Sequence, residues 1–134
     1  MDHCRSGFIP DVSGVKPDLQ FHQHTPLTPT SMLIAWTTLA TRDKAEELAR
    51  AAIEQRLAAC VQIDGPVTSH YVWQGRPERA EEFRLCFKFL PIQQVALEAW
   101  LFTHHPHDTP EWIVLHAENV GEKYLSWAKA NSTF

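Results

Sequence analysis

A short segment between Phe102 and Leu115 concentrates residues that can bind metal ions or transfer protons. It reads His104-His105-Pro106-His107-Asp108-Thr109-Pro110-Glu111, so three of the eight histidines lie beside two carboxylates. Imidazole nitrogens suit Cu(II), Zn(II) and Ni(II), and carboxylate oxygens can complete their coordination. Pro106 and Pro110 lack backbone N–H groups and restrict the residues before them. We therefore predict a rigid turn that ends a helix and leads into a strand.

The candidate metal ligands are His105, His107, His104, Asp108 and Glu111. Successive residues of a helix point about 100° apart, so His104 and His105 are not expected to bind one ion within a subunit. His105 and His107 are the better pair, because they flank a proline in an extended turn, and Asp108 or Glu111 could supply an oxygen ligand. The alternative is structural, with His105 as a partly buried cap on the helix C-terminus. The expected ion is Cu(II) or another divalent cation, and no metal is expected to be obligatory.

The composition argues against several classes of protein. Lys and Arg number 12 against 16 Asp and Glu, which gives a formal charge of −4. A nucleic-acid or anionic-membrane binder normally carries a basic face instead, so neither partner is expected. The sequence contains no run of 18 apolar residues that could span a bilayer. No charged-then-apolar leader is visible, so we expect a soluble cytoplasmic protein.

Proline usage divides the chain of 134 residues into two parts. Residues 1–31 hold four of the nine prolines and show no helical or strand period. We interpret them as a poorly ordered N-terminal extension. Residues 32–134 form the predicted domain. It opens with an apolar strand, Met32 to Leu39, after which Thr41 is expected to cap a helix by accepting from an amide near Lys44.

Alternating apolar residues predict two long strands after this helix. The first runs from Ala59 to Gln74 with a bend or bulge at Gly65-Pro66, and the second covers Phe83 to Phe89. By this pattern alone, Tyr71 and Trp73 are core residues. Pro91 opens a second helix, whose predicted inner face consists of Ile92, Val95, Ala96, Ala99 and Phe102.

A fourth strand over residues 112–115 and a helix over residues 119–129 complete the order β-α-β-β-α-β-α. This order predicts an α+β, ferredoxin-like βαββαβ sandwich with a short C-terminal helix. Its sheet is expected to be four-stranded and antiparallel, with two helices on one face.

Several motifs resemble the CutA-type divalent-cation tolerance proteins over residues 33–128. They are Thr37-Thr38, Leu57-Ala58-Ala59-Cys60-Val61, Ser69-x-Tyr71-x-Trp73-x-Gly75, Glu82 with Lys88, His105-Pro106-x-x-x-Pro110-Glu111, and Tyr124-x-x-Trp127. Two departures concern the metal site. His107 stands where the family usually has tyrosine, and the first strand lacks the cysteine that some bacterial members carry.

The resemblance implies a PII-like homotrimer that takes part in divalent metal tolerance, particularly toward copper, and binds metal weakly. It also implies an inter-subunit cleft lined by Tyr71, Trp73, Glu82, Lys88, His105 and Glu111, of which Tyr71, Trp73, Glu82 and Lys88 are the candidate ligand-binding residues. The alternative function is a PII-like regulatory module that binds a small anionic ligand there. No enzyme activity is expected, because no thiol–imidazole pair or glycine-bearing phosphate loop is evident. An RNA-binding domain is not expected either, because no basic RNA-binding face is evident.

Overall fold

The computed structural model describes residues 32–132, and the predicted extension over residues 1–31 lies outside this range. The element order agrees with the sequence-based prediction. The elements are β1 (Leu33–Leu39), α1 (Arg42–Glu54), β2 (Cys60–Trp73), β3 (Arg76–Phe89), α2 (Gln94–His104), β4 (Ile113–His116) and α3 (Glu122–Asn131). A 3-10 turn over Pro91–Gln93 leads into α2. Within residues 32–132, no helix has the length and apolar character needed to cross a membrane.

The four strands form one antiparallel sheet in the order β2-β3-β1-β4. Strand β1 pairs with β3 from Leu33 opposite Phe89 to Leu39 opposite Phe83, and with β4 on its other side. The two strands of each βαβ unit are separated in the sheet by one strand of the other unit. Strands β1 and β3 are therefore neighbours at the centre of the sheet. The ferredoxin-like prediction is confirmed.

Helix α1 begins where the sequence predicts. Thr41 is extended, and its hydroxyl accepts a hydrogen bond from the Lys44 amide at 3.2 Å, which satisfies one of the free N–H groups of the first turn. The helix buries Ala45, Leu48 and Ala52 against the sheet. The apolar spacing and the cap predict the same helix, and the structure confirms it.

Helix α2 packs on the opposite side from the one predicted. Leu97, Trp100 and Leu101 join the main core, whereas Ile92 and Val95 are 82% and 80% exposed. Phe102, Ala96 and Ala99 are exposed as well. Apolar residues surround this helix on all sides, so their spacing does not identify the inner face. Burial of two leucines and an indole removes more apolar surface from water than burial of the predicted inner face, which includes two alanines, would remove.

A bulge in β2 reverses the direction of its side chains. Asp64 pairs with Arg84 but Val67 pairs with Glu82, so two residues of β2, Gly65 and Pro66, lie opposite one residue of β3. Gly65 permits this bend, since its φ is +146° and a Cβ would lie 2.8 Å from the Phe83 ring. Beyond the bulge, the odd-numbered residues of β2 face away from the helices. The pattern-based prediction that Tyr71 and Trp73 are core residues is therefore wrong.

The paired strands β2 and β3 extend well beyond the rest of the sheet. Strand β1 covers β3 only from Phe83 to Phe89, so residues 67–82 form a two-stranded arm. Near the tip of this arm, Tyr71, Val72 and Trp73 are 46%, 71% and 53% exposed. Within residues 32–132 of one subunit, the arm therefore leaves apolar side chains exposed and its strand edges unpaired.

Candidate functional site

His105 caps α2 and is buried, with 7% of its surface exposed. Its Nε2–H donates to the Thr38 carbonyl at 3.0 Å, and its Nδ1 accepts from the His107 amide at 3.1 Å. These partners fix the neutral Nε2–H tautomer and occupy both ring nitrogens. In this geometry His105 offers no lone pair to a metal ion. It ties the end of β1 to the turn, as the structural alternative anticipates, but as a neutral ring.

The far end of the turn is anchored by Trp112. Its Nε1–H donates to the Glu98 carboxylate at 2.9 Å, and its ring packs edge-on against Phe87, with 5.7 Å between the ring centroids. Both ends of the segment from 106 to 111 are thus attached to buried or partly buried groups. The residues between them are held at a fixed place beside the sheet.

Stability should depend on pH through His105. Burial lowers the pKa of this imidazole, and the nearby His107 and Lys44 act in the same direction, whereas the hydrogen bond to Thr38 partly opposes them. In the unfolded chain the pKa returns to about 6.5, so the unfolded state binds more protons just below that pH. The stabilisation is complete above about pH 6.5 and is lost as the pH falls through the folded-state pKa. Urea unfolding from pH 7.5 to 5 should show this decrease, and His105→Ala should reduce it; equal pH dependence in both proteins would contradict this assignment.

The turn forms one wall of an open groove of about 680 Å³. The end of β1 and the base of the β2–β3 arm complete it. The lining residues are Thr38, Ser69, His70, Tyr71, Trp73, Glu82, His107, Asp108, Thr109 and Glu111. Six predicted site residues therefore meet here: the metal candidates His107, Asp108 and Glu111, and the ligand-cleft candidates Tyr71, Trp73 and Glu82.

Three of the predicted site residues do not line this groove. His105 is buried behind the turn, and His104 stacks on Trp100 at 5.1 Å while its Nδ1–H donates to the Trp100 carbonyl at 2.8 Å. Lys88 lies six residues along β3 from Glu82, about 20 Å away. Its ammonium instead lies 5.9 Å from the centroid of the Tyr124 ring.

The ionisable lining of the groove consists of carboxylates and imidazoles. Glu82, Asp108 and Glu111 supply three carboxyl groups and His107 supplies an imidazole, whereas His70 borders the groove but lies on the other face of β2 from Tyr71. The lining residues include no lysine and no arginine. Among residues 32–132, no three His, Cys, Asp or Glu side chains converge closely enough to hold a metal ion. The donor set therefore fits a weak, open site better than a closed structural one.

Four lining residues were not among the predicted site residues: Thr38, Ser69, His70 and Thr109. Thr109 lies within the predicted turn, and Ser69 belongs to the motif that carries the family resemblance. His70 has the pattern of an ordinary strand residue. Thr38 also belongs to a motif of the family resemblance, and the structure places it beside the turn through the contact between its carbonyl and His105, 67 residues away.

Comparison with known proteins agrees with this fold. The family model described as CutA1 divalent ion tolerance protein matches residues 33–131. The chain belongs to this family. A divalent-cation tolerance protein CutA from Yersinia pestis (strain Pestoides F) is 34% identical over 102 residues, which is 76% of this chain and 86% of the relative.

Solved CutA structures superpose well on the described domain. CutA from Synechococcus elongatus PCC7942 has a TM-score of 0.74 at 36% identity, covering 78% of this chain and 92% of that one. The same protein complexed with a Bis-Tris molecule gives 0.70 at 36% identity, covering 75% and 93%. The comparisons therefore confirm the family and the fold class for this chain.

Proposed function

We propose that this CutA1-family protein is a non-enzymatic homotrimer that binds divalent metal ions, Cu(II) among them, weakly in the open groove. The proposed ligands are His107 and Asp108, with Glu111 as a further oxygen donor. The observation that carries the proposal is that the turn presents all three residues at one groove while His105 holds the turn from behind. His105 is then a positioning residue and not a ligand.

The unpaired arm supports the trimer. Long strands with free edges pair readily with other chains, and proteins usually cover such edges. A second copy packed along the arm would cover the exposed Tyr71, Val72 and Trp73. It would also bring additional donors to the groove, whose own side chains do not form a closed metal site.

Light scattering should test the trimer directly. At micromolar concentration the purified chain is expected at about three times its 15.3 kDa mass. Truncation of the arm tip, with residues 70–79 replaced by a two-residue turn, should shift the mass toward the monomer. A wild-type monomer at that concentration would refute the trimeric proposal.

Removal of His107 should weaken Cu(II) binding. His107→Ala is expected to lower the affinity measured by calorimetry by about tenfold or more, the scale seen when groups around a metal are removed. The matched control is His116→Ala, because His116 is an exposed strand histidine outside the groove. Histidines of the N-terminal extension are present in both variants, so they add the same background. Equal affinities for the two variants would remove His107 from the site.

A second candidate function is a module that binds a small organic ligand in the same groove. Its volume lies within the range of small-molecule sites, and two exposed aromatic rings line it. The Synechococcus elongatus relative complexed with Bis-Tris is a precedent for small-molecule binding in this family. The anionic ligand expected from the PII resemblance has little support in a single subunit. Lys88 lies away from the groove, and the lining residues include no lysine or arginine.

A further inference from the structure

The outer face of α2 has no charged side chain. Within the described chain, six exposed residues form this face: Ile92, Val95, Ala96, Ala99, Phe102 and Thr103. Ile92 lies in the 3-10 turn before the helix, and only Thr103 is polar. The five apolar residues are also those whose spacing predicts the inner face of the helix. Neighbours among them are three or four residues apart, so they form one continuous α2 stripe about 15 Å long.

The inner face of α2 is apolar as well. Leu97, Trp100 and Leu101 fill it and pack in the main core. A helix that meets water on one side normally has charged residues there, as α1 has in Glu46 and Glu47. A helix that is apolar all round is typically buried on all sides. The composition of α2 therefore indicates that a second layer of protein covers the α2 stripe.

The segment formed by residues 1–31 joins the described domain close to this stripe. Met32 is buried and belongs to the same small cluster as Leu90, which precedes Ile92 by two residues. The next residue, Leu33, pairs with Phe89 at the end of β3. The chain therefore enters the domain at the end of the sheet where α2 begins.

The length of the segment before Met32 is sufficient to cover the α2 stripe. Its large apolar side chains nearest to Met32 are those of Leu19, Phe21 and Leu27. Phe21 precedes Met32 by eleven residues, and eleven extended residues span up to about 36 Å. This span is about twice the length of the stripe, so Phe21 can reach any part of it.

The chemistry of this segment also matches the stripe. Residues 19–31 contain no Asp, Glu, Lys or Arg, so docking them on an apolar surface buries no formal charge at neutral pH. Because the segment is tethered to the domain, its effective concentration at the stripe is on the order of millimolar. A separate protein would need a comparable free concentration to compete with it.

We infer that residues 19–31 dock on the outer face of α2 in the same chain, with Leu19 and Phe21 packed against the α2 stripe. The inference assigns an intramolecular binding surface to α2 and an occupant to that surface. It depends on neither the metal proposal nor the trimer proposal, because the stripe lies outside the groove and the arm.

Limited proteolysis of the full-length protein tests the docking. Chymotrypsin cleaves after Phe21 in an unprotected chain, and mass spectrometry measures the rate at that bond. A docked segment must open before it is cut, so the rate should be at least about tenfold lower than in a synthetic peptide of residues 10–31. Val95→Asp places a charge in the stripe and should bring the rate to within about twofold of the peptide's.

Two variants serve as matched controls for this experiment. Val95→Ile keeps the stripe apolar and should keep the protection. Arg50→Asp introduces the same side chain on the exposed face of α1 and should keep it as well. Circular dichroism of each variant shows whether the domain is folded. Val95 is almost fully exposed among the described residues, so its replacement is not expected to unfold the domain.

A second measurement changes the segment and leaves the domain intact. Phe21→Ser should uncover the α2 stripe and raise the fluorescence of the apolar dye ANS by about threefold or more. The adjacent substitution His22→Ser should leave the dye signal at the wild-type level. Three results would overturn the inference: cleavage after Phe21 as fast in the protein as in the peptide, equal rates for Val95→Asp and Arg50→Asp, or equal dye signals for Phe21→Ser and the wild type. A lower mass of the Val95→Asp assembly by light scattering would also overturn it, since a second copy would then cover the stripe.

Discussion

His105→Ala is expected to lower the free energy of unfolding by about 2–4 kcal/mol, because it removes two partly buried hydrogen bonds and leaves a cavity. The Thr38 carbonyl and the His107 amide both lose their partner in this variant. Water can reach the amide near the exposed turn more easily than the carbonyl at the end of β1, so the carbonyl should account for much of the loss. Urea unfolding at pH 7.5 measures the effect where the native imidazole is neutral.

The same substitution should also weaken metal binding, although His105 does not contribute a ligand. Without the bond to Nδ1, the His107 amide no longer fixes the turn, so His107 and Asp108 occupy a wider range of positions. The control is His104→Ala, which removes an exposed ring stacked on Trp100 and should cost less than about 1 kcal/mol. A larger loss of stability for His104→Ala than for His105→Ala would contradict the positioning role.

The position of His105 illustrates what the sequence could and could not predict. The two prolines and the run of polar residues correctly predict a rigid turn after a helix. The role of each histidine depends on contacts that the local sequence does not contain. The partner of Nε2 is Thr38, 67 residues earlier, and this contact exists only when the sheet and α2 are assembled. A buried structural histidine and a metal ligand therefore have the same local pattern.

The β2 strand shows how one extra residue changes the interpretation of a whole segment. Gly65-Pro66 predicts a bend or bulge, and the structure contains a bulge between Asp64 and Val67. Side chains alternate with a period of two, so a single inserted residue moves every later side chain to the other face. If the alternation is continued past the bulge without that shift, Tyr71 and Trp73 are placed in the core. With the shift included, the same residues lie on the open face and line the groove.

The sequence of α1 determines which face of the helix is buried, whereas the sequence of α2 does not. In α1, charged residues occupy the outer positions, so the apolar face and the cap at Thr41 are unambiguous. In α2, valine, alanine, leucine, tryptophan and phenylalanine are distributed around the whole helix. Its orientation is decided by tertiary packing, in which Leu97, Trp100 and Leu101 contact the main core. Adjacent residues of this helix should therefore differ sharply in their contribution to stability.

Leu101→Ala should lower the free energy of unfolding by about 2–5 kcal/mol, the range for removal of a fully buried leucine side chain. Leu101 has no exposed surface and lies in the main core. Phe102→Ala removes a larger side chain, but that ring is 53% exposed and touches Trp112 only edge-on, with 6.3 Å between the centroids. It should cost about 1 kcal/mol or less. Urea unfolding of both variants measures the difference. A greater loss of stability for Phe102→Ala would mean that α2 packs on the face that its sequence pattern predicts. The turn after α2 would then leave the helix in a different direction and would no longer border the groove.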